Sequence, residues 1–210
     1  MASDNEDAPL LARELPGAGS FSTPHTQSFA GAQFLYQQLA NWDAQIQEQV
    51  ALAGEDPDAR FAAEISGSLE RQALSEAVQI LCAVTVEGAA NLLGVLVLGE
   101  GQFMRRLEKA RLTEKLKRVL RLLECNHTAS YKMMIGCARR LSDARNGFVH
   151  PKPQEGRRRR NRTERRPDLR SAREAISDVH AFFGAIRSLD PRYSAFFWLF
   201  ESGGGGGQSE

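Results

Sequence analysis

The stretch Val78-Gln79-Ile80-Leu81-Cys82-Ala83-Val84-Thr85-Val86-Glu87-Gly88-Ala89-Ala90-Asn91-Leu92-Leu93-Gly94-Val95-Leu96-Val97-Leu98 decides the fold. It is long enough for several helical turns and apolar nearly all round, so as a helix it must be enclosed on every side, by protein or by lipid. Glu87 stands at its centre, with Gln79, Thr85 and Asn91 nearby. A carboxylate at the middle of a membrane span costs about 2.5–3.5 kcal/mol on insertion scales. The reading taken is therefore a buried central helix rather than a span.

On either side, helical periodicity continues. Leu35, Leu39, Trp42, Ile46 and Val50 recur at spacings of four and three, which predicts a helix over about 28–53. After a turn at 54–58, a helical region over about 59–98 is broken near Gly67 and closed by Gly99-Glu100-Gly101. Leu112, Leu116, Val119, Leu120 and Leu123 form the next stripe, with Thr113 as its expected N-cap. Tyr131, Met134, Ile135, Ala138, Leu141 and Phe148 form another, ending at Pro151. Leu169, Ala172, Ile176, Val179, Phe183 and Ile186 form a further amphipathic helix, with Pro167 near its start. Asp190-Pro191 then opens a short aromatic helix through Phe200. Alternating strand patterns are absent, so the fold class is all-α, an antiparallel helical bundle with one central apolar helix.

Composition agrees with a globular chain. The 210 residues suffice for one domain with a full core, and 42% are hydrophobic. The 27 lysines and arginines nearly balance 26 acids, so net charge by itself points to no nucleic-acid partner. Basic residues nevertheless crowd the segment after Pro151, where Arg157, Arg158, Arg159 and Arg160 are consecutive. Cys82, Cys125 and Cys137 form no paired motif and read as reduced core thiols of a cytoplasmic protein. Cys125 and His127 have no matching second pair, so no metal site is expected. The acidic start lacks the pattern of a secretory signal. The expected organisation is a disordered arm over 1–24, a single domain over 25–200 with a basic insertion at 154–166, and a flexible glycine-rich tail over 201–210; His25 is read with the arm rather than with the core.

One position breaks the amphipathic rule. Arg145 is four residues after Leu141 and seven after Ala138, in phase with the apolar stripe rather than opposite it. A guanidinium there must reach out to water or face a groove with a partner. His150 follows five residues later, about 140° further round an ideal helix. The two converge only if the helix unravels, which Gly147 and Pro151 favour. Without a family context, this is as well explained by an ion pair and a histidine at a helix C-terminus.

The residues Arg145-Asn146-Gly147-Phe148-Val149-His150, followed by Pro151-Lys152, resemble the Arg-Asn-x-x-x-His signature of HEPN domains. Glu87-Gly88-Ala89-Ala90-Asn91 resembles the Glu-x-x-x-Asn pattern of the central helix in many of them. With the helix order, the likeness covers about residues 28–189; the long arginine-rich insertion departs from a minimal domain of this kind. The resemblance implies a HEPN-type bundle, a homodimer, and a metal-independent endoribonuclease needing no cofactor, as in toxin–antitoxin, defence or stress systems. It implies RNA as substrate and an antitoxin or regulatory protein as a further partner, with no membrane association. Arg145, Asn146 and His150 would be catalytic and Glu87 and Asn91 supporting. Lys152, Arg157, Arg158, Arg159 and Arg160 would raise RNA affinity electrostatically. An imidazole, with an ordinary pKa of about 6.5, suits proton transfer, and a forked guanidinium suits a phosphate. Glu87 and Arg145 both fall on core-facing positions, which leads to the expectation that they pair. The alternative is a non-catalytic module of the same type that binds a nucleotide or RNA, or serves as a scaffold.

Overall fold

The computed structural model describes residues 24–125, 128–149 and 168–189. Among these there are seven helices and no strand: α1 (Pro24–Leu52), α2 (Pro57–Ile65), α3 (Ser68–Leu98), α4 (Glu100–Arg106), α5 (Leu112–Leu122), α6 (Ala129–Val149) and α7 (Leu169–Arg187). The all-α class read from periodicity is what the chain adopts.

Local chemistry sets the breaks. Asp56 accepts hydrogen bonds from the amides of Asp58 and Ala59 at 3.0 and 3.2 Å, and Pro57 opens α2 behind it. Gly67 then turns the chain with φ of +64°, where a Cβ would come within 2.6 Å of the Trp42 ring. The predicted break near Gly67 is thus the junction between α2 and α3. At the start of α7, Asp168 caps through a bond accepted from the Ser171 amide at 2.8 Å.

The stretch that opened the sequence reading is the centre of the bundle. α3 packs against α1, α4, α5, α6 and α7, and neighbouring contacts run from α1 to α7, α7 to α6 and α6 to α5 around it. Paired residues give the directions. Asp43 meets Arg71, and His25 meets Gly88, so α1 and α3 are antiparallel. Ser130 meets Ser188, and Arg140 meets Asp178, so α6 and α7 are antiparallel too. Val78, Cys82, Val86, Ala89, Leu93 and Leu96 of α3 are buried with Leu39, Leu116, Leu120, Met134, Leu141, Phe182 and Ile186. The segment Pro57–Leu98 contains an 18-residue window of mean hydropathy 2.0, apolar and long enough to cross a membrane; half of that window is buried inside the bundle.

Two expectations need correction, and one helix was not foreseen. Gly99 closes α3 as expected, its amide bonding to the Val95 carbonyl at 2.8 Å, but the chain does not leave helix there. α4 follows at once, because Phe103 finds a buried place against Gly94. Thr113 is inside α5 rather than its cap, which is Arg111 in an extended conformation. His25 does not belong to a loose arm: α1 begins at Pro24, and His25 is buried against Gly88 and stacked with Phe183, ring centroids 6.4 Å apart. The remaining arm, the basic insertion, the expected helix after Asp190 and the glycine-rich tail lie outside the described residues.

Candidate active site

α6 carries its helical backbone through Val149, so Arg145, Asn146 and Gly147 are all helical. Leu141, one turn before Arg145, is buried, and Arg145 follows it towards α3. There its Nη1 donates to Glu87 Oε2, joining the two across the helix interface. The pairing expected from their core-facing positions is present. Each side chain keeps 32% of its surface in contact with solvent. Glu87 is the one hydrogen-bond partner of Arg145 among the described residues, so four of the five guanidinium N–H donors stay open there.

Asn146, one residue on, is exposed and turned about 100° from Arg145 around the helix. His150, Lys152, Arg157, Arg158, Arg159 and Arg160 lie outside the described residues. Two of the three proposed catalytic residues are therefore placed, on one turn of α6, with Glu87 beside the first.

Asn91 is one turn after Glu87, but its partner is on another helix. Its Oδ1 accepts from Lys115 Nζ of α5 at 2.9 Å, and that ammonium sits 5.7 Å from the centre of the Phe103 ring. Lys115 is 3% exposed. An enclosed ammonium that meets no carboxylate among the described residues demands compensation, which an amide oxygen and an aromatic face supply in part. Successive turns of α3 thus anchor cations from two different helices, Arg145 by Glu87 and Lys115 by Asn91. Sequence reasoning missed Lys115, although the signal was available. It lies three residues after Leu112 and four before Val119, in phase with its apolar stripe, as Arg145 does with its own.

A groove of about 450 Å³ opens between α3, α6 and α7, lined by neither Glu87 nor Arg145. Leu141 and Ala144 of α6 contribute to it, next to Arg145. Across it, Arg140 grips Asp178 of α7 by two bonds, Nε to Oδ2 at 2.9 Å and Nη2 to Oδ1 at 2.6 Å. Neither Arg140 nor Asp178 was singled out from sequence, because each reads as an ordinary polar-face residue of its own helix.

Three further titratable groups are enclosed by the fold. Burial pushes the Cys82 thiol up to about 12 and Cys137 to about 11, with the Asp178 carboxylate adding to both, so these are unreactive thiols near neutrality. Burial holds His25 well below the usual imidazole range, at about 4. Among the described residues no three His, Cys, Asp or Glu side chains come together as a ligand set. Comparison with protein-family models, with curated proteins and with solved structures finds no match to this chain.

Proposed function

We propose that this chain is a metal-independent endoribonuclease of the HEPN type, acting as a cytoplasmic homodimer in a toxin, defence or stress system. The observation that carries the reading is the placement of Arg145. It projects from the apolar side of α6, is about one-third exposed, and is oriented by Glu87, with further guanidinium donors that no other described residue engages.

RNA supplies its own nucleophile, so the protein needs only to move protons and neutralise charge. His150 takes the proton of the 2′-hydroxyl as its oxygen forms a bond to the adjacent phosphorus. Arg145 stabilises the added charge on the phosphate oxygens, and Asn146 positions the group. The bond from phosphorus to the 5′-oxygen breaks, that oxygen receives a proton, and the other fragment ends in a 2′,3′-cyclic phosphate. Lys152 and Arg157, Arg158, Arg159 and Arg160 draw the polyanion in. An antitoxin or regulatory partner holds the activity in check.

The second reading is a non-catalytic module of the same type that binds a nucleotide or RNA or serves as a scaffold, and its scaffold form is favoured by the other aspect of the same pair. A carboxylate beside Arg145 offsets part of the charge that a phosphate would meet. Incubation of wild type and His150→Ala with total RNA in excess EDTA separates the two. Cleavage by wild type alone, leaving cyclic phosphate ends, is the expected result. Equal cleavage by both proteins would refute the mechanism, and silence from both would favour the binding module.

A further inference from the structure

α2 is oriented the wrong way round for a helix on the surface of a bundle. Phe61 and Ile65 are its bulky apolar residues, four apart and therefore on one face, and they are 63% and 53% exposed. Ala59 and Ala63, two positions from Phe61 on either side and so about 160° round the helix, are half-buried. α2 packs on α1, and none of its residues is fully buried. The helix thus turns its alanines inwards and its large apolar pair outwards, the reverse of an ordinary amphipathic surface helix. Leu52 in the last turn of α1 and Leu69 in the first turn of α3, which flank α2 in the chain, are more exposed still. Isolated exposed apolar side chains are ordinary, but a pair sharing one helix face and directed away from the bundle has the character of a contact surface.

The surrounding charge selects what fits there. Residues 55–70 contain five acids, Glu55, Asp56, Asp58, Glu64 and Glu70, and one base, Arg60, all of them exposed. Asp58 and Glu64 are each about 60° from Phe61 around α2, one on either flank, so carboxylates border the apolar pair. RNA and anionic lipid headgroups are repelled by such a border. A second copy of the chain meeting it face to face would set the same carboxylates against one another. The chain's own arginine-rich stretch has the right charge, but between His150 and Asp168 it has no large apolar side chain to cover the face. The aromatic stretch through Phe200 has the apolar groups but continues from Leu189, at the far end of α7. The 19 residues of that helix carry the chain about 28 Å away from the contact of Asp168 with Ser75 near the start of α3.

We propose that the outer face of α2 docks an amphipathic helix of a partner protein, apolar along one side and flanked by lysine or arginine. The apolar stripe of that helix covers Phe61 and Ile65, and its basic side chains meet Asp58 and Glu64. The proposal stands apart from the ribonuclease reading, because none of these residues belongs to the Arg145 site.

The test is fluorescence anisotropy with two labelled synthetic helices of about 18 residues, each with leucine at spacings of three and four, one with lysine and the other with glutamate at the remaining positions. Each is titrated with the full chain at near-physiological salt. Wild type is expected to bind the lysine helix about tenfold or more tightly than the glutamate helix. The double variant Phe61→Ser, Ile65→Ser changes exposed side chains only, so it should keep its thermal midpoint while binding the lysine helix about tenfold more weakly. The double variant Asp58→Lys, Glu64→Lys is expected to reverse the preference between the helices. Failure of the lysine helix to bind wild type, equal binding of both helices, or unchanged affinity in the serine variant would overturn the proposal. Sedimentation of wild type and the serine variant covers the remaining occupant: a dimer that the serine changes dissolve would assign the face to self-association and overturn the proposal as well.

Discussion

Glu87 on α3 and Arg145 on α6 are 58 residues apart in the chain and hydrogen-bonded in the fold. Both are about one-third exposed, so the pair is neither a buried ion pair, whose desolvation would dominate, nor a freely solvated one. Its strength is accordingly modest. A double-mutant cycle with Glu87→Gln and Arg145→Gln should give a coupling of about 0.5–1 kcal/mol in urea unfolding. Additive single effects would mean that the two side chains do not meet in solution.

Asn91 and Lys115 behave differently because the ammonium is enclosed. Asn91→Ala leaves a buried charge without its hydrogen bond and should cost about 1.5–3 kcal/mol. Lys115→Met removes the charge and keeps most of the volume, so it should cost less and can stabilise. Chemical denaturation of the two variants decides; a larger loss for Lys115→Met would show that the lysine contributes more than its burial costs.

Gly94 is where α4 meets α3. A Cβ on it would fall 2.6 Å from the Phe103 ring, which is itself buried. Gly94→Ala should therefore lower stability by about 1–3 kcal/mol. Combining it with Phe103→Leu should cost less than the sum of the two changes, since the shorter side chain makes room. Simple additivity by thermal unfolding would place the strain elsewhere.

Burial holds His25 at about 4 in the native state, against an ordinary value of about 6.5 in the unfolded chain. Between those limits the unfolded state binds a proton that the native state refuses. Stability is then fully present above about pH 6.5 and declines as pH falls towards 4. The native-state neighbours of His25 include Gly88 and Phe183, neither of which titrates. His25→Gln should flatten this part of the stability profile relative to wild type. Identical slopes in denaturant titrations across pH 4–6.5 would rule out His25 as the source.

Helices were legible from the sequence because their signal is local. A period of three to four residues marked the faces of α1, α5, α6 and α7, and an apolar circumference marked α3 as the helix to be surrounded. Arg145 stood out by the same rule, as a charge that had either to reach water or to find a partner in a groove. α4 was hidden by the glycines around Glu100, whose turn signal outweighed a helix of two turns. His25 was misplaced because its burial depends on Gly88, far along the chain, admitting the start of α1 against α3.

The sequence by itself determined where the helices other than α4 fall, which of their faces are apolar, and that a charge at position 145 stands in phase with an apolar stripe. Those properties follow from backbone geometry and the order of side chains within a few turns. Only the tertiary structure decided that Glu87 takes Arg145 while Asn91, one turn later, takes Lys115. It alone assembled a groove from Gln79, Arg140 and Asp178, residues of three helices with no common local pattern. Such pairings depend on how helices rotate and cross when they pack, and the period of a single helix carries no record of its neighbour's phase.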